Sequence, residues 1–390
     1  MITPKGGKMK KPLKKNKKYY DITELNKINA KYRIVFGERS NGKTYQVLRL
    51  GLMKYLTGKG TMGIIRRWED DFKKGGRTTF NSLEQNGNGE NEIMKLSNGQ
   101  WDHVKYWRGE WYLAKWNEYE NNKGELVTNE TKEDTPFCSS FAINIDERYK
   151  SGSYPTMTTI LFDEFLTRGY YIQDEFVKFS GILSTIIRDR DNVEIYMCAN
   201  TVSKYSPYFS EMGLSHIKTQ TQGTIDVYNY SDPRLKVAVE YASPVSEKGK
   251  ASDVYFAFDN PRLKMITKGA WEFDIYPHFP AAVNYKDSKI VFSFFIRFDG
   301  DTLQADIHHY GKYNFIYIHQ KTTSIKDLDK DFIYSPQDDD LRPNWRKCIF
   351  KPEYPFEKKI LWLFNTNKVC YQDNTIGEIV RNFLNTSRGL

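Results

Sequence analysis

Eight residues constrain this chain more than any other feature: Gly37-Glu38-Arg39-Ser40-Asn41-Gly42-Lys43-Thr44. They fit the phosphate-loop pattern G-x-x-x-x-G-K-[ST]. The flanks fit as well, since Tyr32–Phe36 reads as a short buried strand and Tyr45–Leu56 as a helix. Glycines let the backbone turn so that its N–H groups point inward, and the helix N-terminus adds partial positive charge. Gly37, Arg39, Ser40, Asn41, Gly42, Lys43 and Thr44 therefore form the expected polyphosphate cradle. Lys43 can reach the β- and γ-phosphates, and Thr44 can offer its hydroxyl to Mg²⁺.

A second element supports the first. Thr158-Thr-Ile-Leu-Phe-Asp163-Glu164 is an apolar, β-branched run that ends in two acids. Such a strand places Asp163 at the carboxyl edge of a parallel sheet, where these folds bind ligands. Asp163 is expected to hold Mg²⁺ through water, and Glu164 to polarise the water that attacks a γ-phosphate. Nucleotide switches usually lack the second acid, so the pair predicts hydrolysis of ATP over simple binding. The chain contains no Asn-Lys-x-Asp, which disfavours a GTPase.

The charge is unevenly placed. Eight lysines lie within the first 18 residues, and removing them from the 58 lysines and arginines leaves 50 against 49 acidic residues. The net charge of +9 thus sits in a tail. A like-charge block of this kind suits a nucleic-acid arm, or equally a solvated or targeting extension. No apolar run approaches the ~20 residues of a membrane span. Cys138, Cys198, Cys348 and Cys370 are far apart and suggest neither a disulfide framework nor a zinc site, which fits a reducing cytosol.

The expected order is a disordered basic tail (1–20), an α/β phosphate-loop domain (21–245), a linker (246–275) and a β-rich domain (276–390). In the second region, strands Tyr32–Phe36, Thr61–Arg66, Thr156–Phe162 and Val193–Cys198 alternate with helical stretches, implying a parallel sheet. Residues 70–140 interrupt this alternation. They are rich in Gly, Asn, Glu and Lys, then in aromatics, with a predicted hairpin around Arg108-Gly109-Glu110. Its aromatics suit cross-strand packing better than base stacking. The last region reads as strands Lys289–Phe298, Leu303–His308 and Asn314–His319 and a closing helix, Asn374–Asn385.

Two more residues stand where a multisubunit ATPase needs them. Asn200 ends the fourth strand, where an amide can touch the γ-phosphate or simply form a turn. Arg188-Asp189-Arg190 ends the preceding helix, where a guanidinium can enter a neighbour's site as an arginine finger or pair with the helix dipole.

The set of elements resembles the DNA-packaging ATPases of small, short-tailed, protein-primed phages, relatives of terminase large subunits. The likeness rests on Val35 through Thr44, Ile64-Ile65-Arg66-Arg67, Ser153 through Phe165, Thr185 through Arg190, Cys198 through Ser203 with Pro207-Tyr-Phe209, and Asp287 through Ser293. The resemblance implies a RecA-like (ASCE) ATPase domain and an RNase H-like C-terminal domain. It implies a homomeric ring, a pentamer in the family, that drives double-stranded DNA into a procapsid at the portal, in the host cytoplasm. In one branch the ring also docks on a structural RNA. It further implies Arg188 as the trans finger, and Lys150 and Arg190 as trans or DNA-facing residues. The lysine tail and the 70–140 insertion depart from the family pattern.

A helicase, or a terminase that also cuts DNA, is the competing reading. A nuclease of the RNase H type needs several converging acids for its metals. Here the centre of the first long strand is Ser293-Phe294-Phe295. Asp299 and Asp301 suit a turn, and Asp306 lies on the next strand. The expected C-terminal domain therefore binds nucleic acid without cutting it.

Overall fold

The computed structural model describes residues 5–7, 19–244, 271, 274–280 and 287–390. Most of the lysine tract and residues 246–270, 272 and 273 of the expected linker lie outside these residues. The chain divides into two units. Unit 1 takes residues 1–166, 174–204 and 211–270, and unit 2 takes 167–173, 205–210 and 271–390. No helix among the described residues is long and apolar enough to cross a membrane.

The strands of unit 1 are β1 (Lys5–Gly7), β2 (Tyr32–Gly37), β3 (Thr61–Arg66), β4 (His103–Trp107), β5 (Glu110–Glu120), β6 (Leu126–Lys132), β7 (Cys138–Ala142), β8 (Met157–Asp163), β9 (Glu194–Asn200), β10 (Thr224–Asn229) and β11 (Lys236–Tyr241). Its helices are α1 (Thr23–Asn26), α2 (Lys43–Leu56), α3 (Glu69–Gly75), α4 (Asn81–Glu84), α5 (Glu92–Leu96) and α6 (Glu175–Ile187). One sheet holds all the strands in the order β1-β10-β11-β2-β9-β8-β3-β7-β5-β4, with β6 beside β5. From β11 to β7 every neighbouring pair is parallel. The four strands expected from the sequence are all in this parallel core, each within a residue or two of its expected ends. The reason is burial on both faces, which demands continuous apolar runs: every residue of β8 is buried.

The 70–140 insertion folds onto the edge of this sheet. Arg108 (φ 51°) and Gly109 (φ 86°) make the tight turn of the β4–β5 hairpin. Trp111 is fully buried and packs against Phe72, Phe80 and its cross-strand partner Tyr106, while its indole N–H donates to the Gly76 carbonyl at 2.7 Å. Burying a side chain of this size contributes about 3 kcal/mol. The aromatic cluster is therefore a small core, as cross-strand packing requires. Trp107 and Trp116 are about half exposed (49% and 53%) and lie outside it.

β1 pairs antiparallel with β10. The tail was expected to be wholly irregular, but this short stretch is ordered by backbone pairing at a sheet edge, which needs no apolar pattern.

Tyr20 ties the chain ahead of β2 to both the phosphate loop and the sheet. Its N–H donates to the Asn41 carbonyl and its hydroxyl to Glu240 on β11, each at 2.8 Å. Burial pushes the Glu240 carboxyl up from 4.5 to about 7, against the opposing pull of the Tyr20 hydroxyl. Between pH 4.5 and 7 the unfolded chain gives up a proton that the folded chain keeps, so stability falls through that window and levels off above it. At 1.36 kcal/mol per unit the loss is of order 3 kcal/mol. Glu240→Gln should remove this slope and leave the protein more stable than the parent at pH 8. Urea unfolding midpoints at pH 5 and pH 8 check it, and an unchanged slope in the variant would assign the effect to another group.

Unit 2 is built on β12 (Lys289–Phe298), β13 (Asp301–Tyr310), β14 (Tyr313–Gln320), β15 (Ile333–Tyr334), β16 (Trp345–Arg346) and β17 (Val369–Tyr371), in the order β16-β15-β12-β13-β14-β17. The first three strands form an antiparallel meander, β15 is parallel to β12, and β16 is parallel to β15. Among the described residues, the remaining helices are α7 (Pro207–Glu211), which starts in the 205–210 segment, α8 (Pro355–Asn365) and α9 (Asn374–Arg388). Asp373 caps α9 by accepting from the Ile376 N–H at 2.9 Å. Ile360, Leu363, Ile379, Val380 and Phe383 bury the apolar faces of α8 and α9 with Phe294, Ile296 and Ile316 of the sheet.

Candidate functional site

The loop between β2 and α2 takes its shape from its glycines. Gly42 stands at φ 94°, a left-handed conformation that costs other residues free energy, and it hands the chain directly to α2 at Lys43. Gly37 ends β2 in register with Asn200 at the end of β9. The Lys43 ammonium is buried and donates to the Glu38 carbonyl (2.6 Å), the Asn41 side-chain oxygen (3.0 Å) and the Asn200 side-chain oxygen (3.4 Å). Burial pulls its pKa down to about 8, opposed by the charges of Glu38 and Asp163 among others. The group is poised to gain from an anion, because a phosphate supplies the negative charge that its surroundings provide only partly.

β8 delivers the two acids to the same place. One Asp163 oxygen accepts from the Thr44 hydroxyl at 2.9 Å, and the other accepts from Arg66 at 2.8 Å. Glu164 follows at φ 57°, which turns its carboxylate away from the sheet; the side chain is two-thirds exposed (67%) and 3.9 Å from Arg66. Arg67 secures the segment beyond, donating to the Phe165 carbonyl (2.8 Å) and to both oxygens of buried Glu175 at the start of α6 (2.8 and 2.9 Å). A bidentate pair of this geometry fixes orientation as well as charge.

These groups line one cavity of about 510 Å³. Ser40, Asn41, Gly42, Lys43, Thr44, Asp163, Glu164 and Asn200 are on its wall; Gly37 and Arg39 are not. A hydroxyl and a carboxylate oxygen 2.9 Å apart at this wall form a hard oxygen donor set suited to Mg²⁺.

Two contributors escaped the sequence reading. Arg66 ends β3, which pairs with β8 in the register Ile65↔Phe162, and this places it beside the acids. The double arginine after an apolar run was visible, but its partner was not. The second is the far wall, made by Tyr19, by Tyr45 and Gln46 of α2, and by the 82–88 segment of the insertion. Composition marked that stretch only as a loop.

Three basic residues named from the sequence lie elsewhere. Arg188 caps α6 at φ 49°, is exposed, and donates to the Gly152 carbonyl at 2.7 Å. Lys150, also exposed, pairs with Glu147 at 2.5 Å. Arg190 donates to the carbonyls of Tyr154, Pro155, Met157 and Ile186 at 2.6–3.0 Å. Its guanidinium is thereby committed to clamping α6 on the start of β8, a structural task. None of the three lines the cavity.

The acids of unit 2 are likewise engaged. Asp299 (φ 52°) and Gly300 (φ 85°) form the turn between β12 and β13. Asp306 is buried; its carboxylate accepts from Ser293 (2.6 Å) and Gln304 (3.0 Å) and meets His319 (3.1 Å). Burial alone would raise its pKa, but these hydrogen bonds outweigh it and hold the group below the usual carboxylate value.

The profile of the podovirus DNA encapsidation protein (Gp16) family matches residues 139–387, well over half of the chain. A DNA packaging protein of Bacillus phage B103 is 38% identical over 68 residues, 17% of this chain and 21% of that protein. The DNA packaging protein of Bacillus phage phi29 is 33% identical over 70 residues, again 21% of its length. The aligned part thus spans about a fifth of these relatives. Among solved structures, the Phi-28 gp11 DNA packaging motor superposes with a TM-score of 0.51 at 17% identity, covering 95% of this chain and 98% of that one. The bacteriophage Phi-29 viral genome packaging motor assembly gives 0.51 at 18% identity, covering 95% and 100%. These two show a shared fold.

Proposed function

Because the chain belongs to the podovirus DNA encapsidation protein (Gp16) family, we propose that it is an ATPase that drives double-stranded DNA into a viral procapsid. The observation that carries this reading is the convergence of Lys43, Thr44, Asp163, Glu164 and Asn200 on one cavity. Strand order adds support. β9 lies between the strand of the phosphate loop and the strand of the acid pair, as an ASCE, RecA-like ATPase domain requires, and its last residue is Asn200.

The chemistry follows from the positions. The phosphates of ATP lie along the N–H groups at the start of α2, with the Lys43 ammonium exchanging carbonyl partners for β- and γ-oxygens. Thr44 and Asp163 would hold Mg²⁺, which supplies charge neutralisation on the β- and γ-phosphates. Glu164 orients a water for in-line attack on the γ-phosphorus and accepts its proton as the bond to ADP breaks. Arg66 holds the second Asp163 oxygen at 2.8 Å and so keeps the carboxylate aimed. Asn200 reaches the γ-phosphate side while bonded to Lys43, so it can report the phosphate's departure. Arg188 is exposed and off the cavity wall, which suits action on a neighbouring copy in a ring, a pentamer by family resemblance.

Unit 2 suits an RNase H-like fold. Its meander β14-β13-β12, continued by parallel β15 and β16, supports this reading. With Ser293 at the centre of the first strand and Asp306 already bonded by Ser293, Gln304 and His319, we read it as a nucleic-acid-binding domain that does not cut. The portal and a structural RNA are further partners by family resemblance. ATPase activity with and without double-stranded DNA tests the proposal. DNA should stimulate turnover in the full-length protein, and turnover indifferent to DNA at low salt would remove the translocase reading.

A further inference from the structure

The phosphate end of the cavity accounts for only part of its wall. The remainder comes from Tyr19, from Tyr45 and Gln46 in the first turn of α2, from Ala199, and from Ser82, Gln85, Asn86, Gly87 and Asn88 of the 70–140 region. The 82–88 piece is held rigidly. Phe80 and Leu83 are fully buried beneath it, Phe80 against Trp111. The Glu84 carboxylate accepts from the Val104 N–H at 3.0 Å. Asn86 closes the following turn, its side-chain oxygen accepting from the N–H groups of Asn88 (2.9 Å) and Glu90 (3.1 Å). Gly87 then meets Tyr19 so closely that a Cβ there would stand 2.4 Å from the tyrosine hydroxyl. The backbone tie from Tyr20 to Asn41 fixes Tyr19 in turn against the phosphate loop.

We propose that Tyr19 and the 82–88 segment are the nucleoside-recognition wall of this site, and that they select adenine over guanine. This rests on the ATP reading above and specifies what holds the other end of the molecule. The charged groups of the lining, Lys43, Asp163 and Glu164, all belong to the phosphate end. The far wall offers the rings of Tyr19 and Tyr45 and neutral polar groups. The side-chain amides of Gln85 and Asn88 line the cavity and make no hydrogen bond among the described residues. A carboxamide presents a donor and an acceptor side by side, which matches the amino group and ring nitrogen of adenine in a bidentate pair. Guanine presents two adjacent donors on its Watson–Crick edge, which call for a carboxylate, and the far wall has none. The tyrosine face supplies stacking, which any base accepts, so selectivity falls to the amides.

The test compares affinities of MgATP, MgGTP and inorganic tripolyphosphate for the full-length parent and for Gln85→Ala/Asn88→Ala, by calorimetry. Both changed side chains are exposed, and thermal unfolding of the double variant should match the parent. The parent should prefer ATP to GTP. The double variant should lose that preference, with ATP affinity falling roughly tenfold to a hundredfold, while tripolyphosphate affinity stays unchanged. Tyr19→Ala should weaken ATP and GTP alike and leave tripolyphosphate untouched. Unaltered ATP and GTP affinities in the double variant would overturn the proposal. So would an equal loss of ATP and tripolyphosphate, which would mean the segment only shapes the phosphate loop. A parent that binds neither ATP nor tripolyphosphate would instead bring down the ATP reading itself.

Discussion

Glu164→Gln keeps ATP binding and lowers turnover by about 10²–10⁴-fold, the usual contribution of a positioned general base. The substitution is nearly isosteric. It leaves Lys43, Thr44 and Asp163 untouched, and these carry the expected phosphate and Mg²⁺ contacts. What it removes is the ability to take a proton from water. The geometry suits Glu164 to this role. Asp163 is buried, with one oxygen on Thr44 and the other on Arg66. Glu164 is thrown out of the strand at φ 57° with its carboxylate open to the cavity. Lys43→Ala is the contrasting case. It deletes the buried ammonium, so ATP binding itself is lost and no turnover remains to measure. Equilibrium binding of a labelled nucleotide separates the two defects, and single-turnover hydrolysis measures the first. A Gln variant that hydrolyses ATP at the parent rate would remove Glu164 as the base and leave the water to another group.

The site was legible where its chemistry is local in sequence. The phosphate loop depends on spacing within eight residues, and β8 announces itself because a doubly covered strand must be apolar throughout. Asn200 was visible as an amide ending a buried strand, although its bond to Lys43, 157 residues earlier, was not. Arg66 needed the strand order: only the pairing of β3 with β8 brings it to Asp163, and crossover order is not written in any one segment. The far wall was hidden for a different reason. Ser82–Asn88 has the composition of a surface loop, and its role comes from Phe80 and Leu83 packing beneath it, a tertiary fact. Arg190 went the opposite way. Its position beside Arg188 suggested an outward-facing group, whereas the carbonyls of Tyr154, Pro155 and Met157 around the start of β8 and of Ile186 on α6 absorb its guanidinium. In the β-rich unit, the long runs expected as strands place β12 to β14 within two residues of their ends, but β15 and β16 have two residues each, too short for a periodic signal.

Arg188→Ala subunits bind ATP normally and lose about 10³–10⁵ in turnover, the range reported by arginine fingers supplied in trans. The reasoning starts from where the residue is not. Arg188 is exposed at the end of α6 and does not line its own chain's cavity. An effect on hydrolysis therefore has to reach a site on another copy, or act through loss of its bond to the Gly152 carbonyl. Mixing distinguishes these. In a ring assembled from Arg188→Ala and Glu164→Gln subunits, some interfaces pair an intact Glu164 on one copy with an intact Arg188 on the next. Those interfaces regain hydrolysis, although each variant alone is inactive. A purely structural role for Arg188 would leave every Arg188→Ala subunit defective whatever its neighbour. Arg188→Lys sharpens the contrast, since it keeps the charge but loses the planar fork that spans two phosphate oxygens, and should recover little activity. Rings that assemble at all mixing ratios yet never recover hydrolysis would end the case for action in trans.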